Sequence, residues 1–330
     1  MDIRIPAAWT SLGAWIAAHM PFIVPLCVVA GVALPQVWLP FDGAVPFLFA
    51  VMTFQGSLSN TVSEVMEVFR RPAKLLAILG VTLVFMPVLA WAIANALFAG
   101  DVDLITGIVL EYSVPIGVVS FMWVGMFDGN GSLALAAILI STVISPFTIP
   151  VTLQLLLGQT VQMDAVGMMV NMIFMIALPA LAGMLLNDAT HGWGRATLSP
   201  LMSPACRFLL TFIITCNSSL MSDYVLHMTL ERWCTALFIL IFASSGFVWG
   251  IVAARVMRLP LPDTVTMCFD CGLRNISSGA VIASQYFPGE VVFPVMCGTI
   301  FQQILASLFG RAVRRMVAGP KAGTGPAEGK

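Results

Sequence analysis

A cluster of charged and polar residues interrupts the apolar stretch LPDTVTMCFDCGLRNISSGAVIASQYF, residues 261–287. Asp270, Gly272, Arg274 and Asn275 lie close together in the middle of this stretch. Asp270 and Arg274 are four residues apart, so on a continuous helix they share one face and can form an ion pair. Charges in an apolar environment are costly unless they are paired. The cluster therefore indicates a functional site, and the alternative is an ion pair that only holds two helices together.

A second interrupted stretch, DLITGIVLEYSVPIGVVSFMWVGMFDGN, covers residues 103–130. Pro115 cannot donate a backbone hydrogen bond and its ring clashes with the preceding turn, so a helix breaks there, and Gly117 adds freedom two residues later. Glu111 lies one helical turn before the proline, and Ser120 follows the break. We interpret Glu111 as functional, and the alternative is a residue near the end of a helix that reaches water.

The composition places both stretches in a membrane protein. Charged residues are only 9% of the 330 residues, hydrophobic residues are 59%, and the mean hydropathy is +0.97. Ordinary soluble domains contain about 25% charged residues. These numbers, with a net charge of −1, exclude a disordered chain, a basic nucleic-acid binder and a disulfide scaffold. The predicted partner is the lipid bilayer, with no nucleic acid.

Known catalytic and cofactor motifs are missing from the sequence. It contains no phosphate-binding loop, dinucleotide fingerprint, metalloprotease motif or nucleophile elbow, so neither an enzyme nor an ATP-driven pump is predicted. Cys268 and Cys271 form a CxxC pair, but no second pair or histidine-rich tract accompanies it, so no metal site is predicted. We expect no cofactor other than Na⁺ or H⁺ as a coupling ion.

Apolar runs of about 20 residues, the length that crosses a bilayer core, predict an all-α protein with ten transmembrane helices. The N-terminal residues 1–19 form an amphipathic lead-in, and the last residues, 314–330, form a disordered tail. The ten spans are predicted over residues 20–39, 44–59, 73–98, 104–127, 132–157, 165–186, 201–222, 233–256, 262–286 and 291–313.

The basic residues predict the orientation of these spans. With both termini in the cytoplasm, 13 of the 15 Lys and Arg residues fall on the cytoplasmic side. This asymmetry is typical of a correct topology. We therefore expect a multi-pass protein of the cell (inner) membrane.

The ten spans divide into two five-helix repeats of opposite orientation, residues 20–157 and 165–313. FLFAVMTFQGSLS (47–59) in span 2 is similar to FLLTFIITCNSSLMS (208–222) in span 7. Spans 4 and 9, both broken, hold the same place in each repeat, a pattern typical of secondary transporters. Gln55, Asn217 and Ser218 are then candidates for lining a solute cavity, and hydrogen bonding between helices is the alternative.

Several motifs together resemble those of the bile acid:sodium symporter family. They are RRPAKLLA (70–77), the break at Pro115 and Gly117, SPFTIP (145–150), and FDCGLRN (269–275), which aligns with the family's E-x-G-x-Q-N signature. The resemblance covers residues 20–313. It implies a panel of spans 1, 2, 6 and 7, a core of spans 3–5 and 8–10, crossing of the broken helices, and alternating access for amphipathic or small organic anions with two sodium ions.

The sequence departs from the family pattern at the sodium sites. Asp270 replaces the signature Glu and Arg274 replaces the signature Gln, while Ala134 and Ile138 align with hydroxyl ligands of the family. A fixed guanidinium repels a bound Na⁺ by several kcal/mol, about 4 kcal/mol at 4 Å and an effective dielectric of 20. We expect altered or lost sodium coupling, with Arg274 as counter-ion of Asp270 and Glu111, and either proton coupling or uncoupled transport.

We expect a secondary active transporter of a small or amphipathic organic anion, with no protein partner. The predicted substrate-binding residues are Arg274, Asn275, Gln55, Asn217 and Ser218. The predicted ion-coupling residues are Asp270, Glu111 and Ser120, and the predicted helix-break residues are Pro115, Gly117 and Gly272. The alternatives are a metalloid exporter of the arsenite type, although span 4 contains no cysteine, and a non-transporting membrane sensor, although the chain shows no soluble signalling domain.

Overall fold

The computed structural model describes residues 6–61, 72–158, 160–161 and 164–317, and the secondary structure of these residues is helical. Among them the only extended pairing is one isolated backbone bridge, between Ile116 and Arg274. A helix satisfies its own backbone hydrogen bonds, as lipid requires of a spanning segment. The prediction of an all-α chain is confirmed for the residues described.

The described chain contains sixteen α-helices, some of them joined by π or 3-10 turns. In order they are α1 (Ala7–Ala33), α2 (Pro35–Trp38), α3 (Val45–Ser57), α4 (Pro72–Leu79), α5 (Met86–Leu97), α6 (Val102–Ser113), α7 (Val119–Met126), α8 (Gly131–Leu157), α9 (Ala165–Met172), α10 (Leu178–Ala189), α11 (Ser199–Leu220), α12 (Ser222–Leu226), α13 (Leu230–Val256), α14 (Leu261–Gly272), α15 (Ile276–Tyr286) and α16 (Gly289–Val317). A 3-10 turn (Leu39–Ala44) joins α2 to α3. The π turns are Gly80–Phe85 between α4 and α5, Ile173–Ala177 between α9 and α10, and Gly194–Leu198 before α11.

Seven described segments are long and apolar enough to cross a membrane, so the chain is a multi-pass membrane protein. They are Pro35–Ser57, Pro72–Leu97, Gly131–Leu157, Ala165–Ala189, Gly194–Leu220, Leu230–Val256 and Gly289–Val313. An eighth candidate is α1, whose two parts are bent by 76°. The predicted spans 4 and 9 are outside this count because each consists of two short helices, α6 with α7 and α14 with α15.

The structure corrects the predicted boundaries at both ends of the chain. The first helix ends at Ala33 instead of residue 39, and Pro35 begins the next segment, because a proline at the first helical position lacks only an N–H that would be unpaired anyway. The short loop predicted between the first two spans is a 3-10 turn that leads directly into α3. Helix α16 continues to Val317, into the predicted tail, while residues 318–330 lie outside the described part.

The predicted N-terminal lead-in is helical from Ala7 and packs on α11, and its residues 1–5 lie outside the described part. The indole N–H of Trp9 donates to Leu201 O at 2.9 Å, and a Cβ on Gly13 would lie 2.8 Å from Cγ of Pro204. Further along α1, Gly31 lies so close to α11 that an added Cβ would overlap its backbone. Small residues at such contacts let two helices approach closely.

The helices pack as two groups. The first group contains α1, α3, α10 and α11, and the second contains α4 to α8 and α13 to α16. The first group contacts the second mainly through α15 and α16, while α9 packs against α8. Helices α4, α7 and α14 pack within the second group. The two halves of the second broken segment therefore differ, because α15 contacts the first group as well as its own, whereas α14 packs within its own group.

Candidate functional site

The two broken segments are hydrogen-bonded to each other through their backbones. The N–H of Gly117 donates to Leu273 O at 3.0 Å. The N–H of Asn275 donates to Pro115 O at 2.9 Å. These two bonds flank the antiparallel bridge and satisfy backbone groups that the helix breaks leave without intrahelical partners. We call this junction the crossing, which consists of residues 114–117 and 273–275.

Local residue chemistry explains the first break. Helix α6 ends at Ser113, and Val114 is extended (φ −70°, ψ 156°), as expected for a residue that precedes proline. A Cβ on Gly117 would lie 2.7 Å from Arg274 O, so the close approach of the two backbones requires a glycine. The hydroxyl of Ser141 in α8 accepts a hydrogen bond from Ile116 N at 3.2 Å, which ties the crossing to a third helix.

Asp270 and Ser120 are brought together next to the crossing. Asp270 lies in the last turn of α14 and is fully buried, and the Ser120 hydroxyl donates to its Oδ1 at 2.7 Å. The other oxygen, Oδ2, is buried and has no hydrogen-bond partner among the described residues. Two of the three predicted ion-coupling residues therefore form one unit with an unpaired carboxyl oxygen, the kind of group that binds a proton or a cation.

The predicted ion pair between Arg274 and Asp270 is wrong. Helix α14 ends at Gly272, and the extended backbone after it removes the helical register on which the i, i+4 expectation rests. Instead the guanidinium Nη1 donates to Thr82 O in the π turn between α4 and α5 at 3.0 Å. Its Nη2 is buried and has no partner within the described chain.

Glu111 is buried in the protein, with an exposed fraction of 2%, so it does not reach water from the end of a helix. Its carboxylate packs against Gly298 of α16 so closely that an added Cβ there would overlap its Oε1. Arg274 lies within electrostatic range, but no ion pair within 4.0 Å joins these two described side chains. Glu111 and Arg274 are thus neighbours at the crossing without direct contact between their charged atoms.

The remaining predicted residues near the second break have local contacts. The side chain of Asn275 accepts from Ser278 N at 3.2 Å and caps the start of α15. Gly272 packs against the ring of Phe247 in α13, where a Cβ would overlap the ring. The positions aligned with the missing hydroxyl ligands, Ala134 and Ile138, are buried and apolar.

Three of the predicted substrate-binding residues lie in the first group of helices. Gln55 donates to the Ser199 hydroxyl at 3.0 Å, and the Ser218 hydroxyl donates to Ile214 O at 2.7 Å. Asn217 is buried, and its Oδ1 has no partner in the described chain. These contacts lie within the first group, and the role of the three residues in binding substrate stays a prediction.

A polar network at the starts of α4 and α14 was not anticipated from the sequence. Lys74 in the first turn of α4 forms an ion pair with Asp263 in the first turn of α14, whose exposed fraction is 2%. Asn130 donates to the other oxygen of Asp263 at 2.8 Å and caps α8 by accepting from Leu133 N at 3.1 Å. The only sequence signal was a lysine and an aspartate at the edges of two apolar runs.

Known proteins match this chain along most of its length. The model of the Sodium Bile acid symporter family matches residues 45–228. The uncharacterized protein YbaS of Bacillus subtilis (strain 168) is 37% identical over 91% of this chain and 98% of its own. The uncharacterized sodium-dependent transporter YocS of the same organism is 18% identical over 89% of this chain and 91% of its own. The probable sodium/metabolite cotransporter BASS1 of Arabidopsis thaliana is 22% identical over 92% of this chain and 75% of its own.

Proposed function

Because this chain belongs to the sodium bile acid symporter family, a family of membrane transporters and not of enzymes, we propose that it is a secondary active transporter of a small or amphipathic organic anion. The observation that carries the proposal is the crossing, at which Asp270, Ser120 and Arg274 come together in the interior of an apolar protein. Ionisable residues at membrane depth are a default indication of a solute or ion pathway.

The proposed architecture is ten spans in two inverted repeats, residues 20–157 and 165–313. It is supported by counting each pair of half-helices as one broken span beside the seven long segments and the bent α1. The proposed transporter domain, residues 20–313, then begins inside the bent α1, whose first part is the lead-in, and a cytoplasmic tail follows the domain. The distribution of Lys and Arg supports cytoplasmic termini in the cell (inner) membrane.

The proposed mechanism is alternating access between the two groups of helices. The first group packs on α15 and α16, whereas α7 and α14 pack within the second group, which supports a crevice that opens towards one side of the crossing. The substrate anion would bind in this crevice. Its negative charge would be balanced by Arg274, whose Nη2 is without a partner in the described chain.

The proposed coupling site is the Asp270–Ser120 unit, with H⁺ as the coupling ion. By the family resemblance, Arg274 stands where a second cation is expected, and a unit positive charge 4 Å away repels Na⁺ by about 4 kcal/mol at an effective dielectric of 20. We therefore propose that the guanidinium replaces one coupling cation. The relative YocS is named as a sodium-dependent transporter, which favours sodium instead, and a transport assay with separate Na⁺ and pH gradients distinguishes the two ions.

Liposomes that contain the purified protein provide that test. A thermal-shift screen against organic acids, with and without Na⁺, first identifies a substrate by ligand stabilisation. Uptake of that acid is then expected to follow an imposed pH gradient and to be lost in Arg274→Ala, with membrane insertion unchanged. Uptake that rises steeply with a Na⁺ gradient and ignores a pH gradient contradicts the proposed coupling, and uptake that follows neither gradient indicates uncoupled transport. Wild-type rates in Arg274→Ala make Arg274 structural.

A further inference from the structure

The carbonyl oxygen of Thr82 has lost its α-helical hydrogen bond. In an α-helix it would accept from the N–H of Met86, but in the π turn this N–H donates to Val81 O, five residues back. The next donor in the π register belongs to residue 87, which is a proline and has no N–H. The Thr82 hydroxyl is occupied as well, because it donates to Ile78 O at 2.8 Å. Thr82 O is thus a buried acceptor that receives a hydrogen bond neither from residue 86, as in an α-helix, nor from residue 87, as in a π-helix.

Arg274 supplies the missing donor from 192 positions away in the sequence. Its Nη1 donates to Thr82 O at 3.0 Å, with Thr82 fully buried and Arg274 4% exposed. A hydrogen bond from a charged donor to a buried carbonyl is among the stronger ones in proteins. A guanidinium is planar and carries donors in a fixed fork, so engagement of Nη1 also restricts the direction of Nη2.

We propose that Thr82 O and Pro87 form a docking site that holds the Arg274 guanidinium at the crossing, with Pro87 as a positioning residue. Pro87 has no N–H that could donate to Thr82 O. Thr82 O therefore remains free to hold the positive charge of Arg274 in place, while Nη2 has no partner in the described chain. The hydrogen bonds of Thr82 O and Met86 N alone place the guanidinium at this site. The role of the docking site in transport rests on the proposed function, in which this charge replaces a coupling cation.

The first test uses the full-length protein in detergent micelles and a double-mutant cycle of Pro87→Ala and Arg274→Gln. An alanine restores the N–H that competes for Thr82 O in the π register. The fall in Tm caused by Pro87→Ala is expected to be about 3 °C larger in the wild-type background than in the Arg274→Gln background, where no guanidinium depends on this carbonyl. Equal changes in both backgrounds overturn the docking site. Pro87→Ser restores the same N–H and must reproduce the result.

The second test compares the Tm of each variant in NaCl with its Tm in KCl at equal ionic strength. Arg274→Gln is expected to gain a sodium-specific rise in Tm, Pro87→Ala a smaller rise, and the wild type none. Pro150→Ala serves as the matched control with no rise expected, because it removes a proline from α8 and leaves Thr82 O unchanged. The cycle can show that the effects of Pro87→Ala and Arg274→Gln on Tm depend on each other, while Pro87→Ala gains no sodium-specific rise. In that case the contact between Arg274 and Thr82 O is structural only, and the positioning role is overturned. If Arg274→Gln itself gains no sodium effect, the proposed replacement of a cation fails, and the cycle still decides the docking site.

Discussion

The close approach of the two backbones at the crossing predicts that Gly117→Ala destabilises the protein. An ideal Cβ at this position lies 2.7 Å from Arg274 O, and ordinary van der Waals contact begins at 3.4 Å. The obstacle is backbone and not the end of a flexible side chain, so one of the two crossing segments must move by about 0.7 Å. The hydrogen bonds on both sides of the bridge, now 3.0 and 2.9 Å long, would then exceed 3.5 Å and be lost.

The magnitude follows from these losses. Two backbone hydrogen bonds contribute about 1 kcal/mol each, and overpacking adds about 1–3 kcal/mol. Against this, alanine reduces the entropy of the unfolded chain, which stabilises the protein by about 0.4–1 kcal/mol. We therefore expect Gly117→Ala to lower the free energy of unfolding by about 2–4 kcal/mol, and the Tm by about 3–6 °C.

The assay is thermal unfolding in detergent, followed by tryptophan fluorescence, with Gly125→Ala as the control. Gly125 lies in α7, in the same broken span, and an added Cβ there meets nothing within 4 Å. That substitution is expected to stabilise the helix by about 0.5–1 kcal/mol. If Gly117→Ala is as stable as Gly125→Ala, the two backbones do not approach as closely as the crossing requires.

Two further predictions concern helix ends. Lys74→Met leaves the buried Asp263 carboxylate without its cation and is expected to lower stability by up to about 3–5 kcal/mol, less the part that the partial exposure of Lys74 screens. Glu290→Gln neutralises a more exposed carboxylate paired with Arg232 and is expected to cost about 0–1 kcal/mol, so similar Tm values for the two variants would contradict the buried network. Asp101→Ala removes the side chain that caps α6 by accepting from its third residue at 2.9 Å, and is expected to cost about 1 kcal/mol in the same assay, whereas an unchanged Tm would contradict the cap.

Local chemistry explains which parts of the fold the sequence could predict. A proline inside an apolar run forces an interruption, and a glycine that ends a helix before an extended residue does the same, so both breaks follow from single residues. The all-α class and the family follow from composition and from short motifs, each of which consists of residues that are close together in the chain. The end of the first helix was harder to predict, because Pro35 starts a new helix inside a hydrophobic run without any loss of hydropathy.

The contacts of the site depend on residues that are far apart in sequence. The spacing of Asp270 and Arg274 indicates an ion pair only while the helix continues, and it stops between them. The actual partner of Arg274 is a backbone carbonyl, and no residue type marks a free carbonyl in a sequence. The ion pair of Lys74 with Asp263 likewise joins two segments whose proximity only the packed helices reveal.

The backbone bonds of the crossing also constrain how the protein is made. Pro115 O and Gly117 N obtain their partners only when Leu273 and Asn275 have been synthesised, more than 150 residues later. At about 5–20 residues per second, the wait is on the order of 10–30 s. During this interval each unpaired group in lipid costs several kcal/mol. A chain that stops before the second broken segment therefore lacks the hydrogen-bond partners of Pro115 O and Gly117 N in the first.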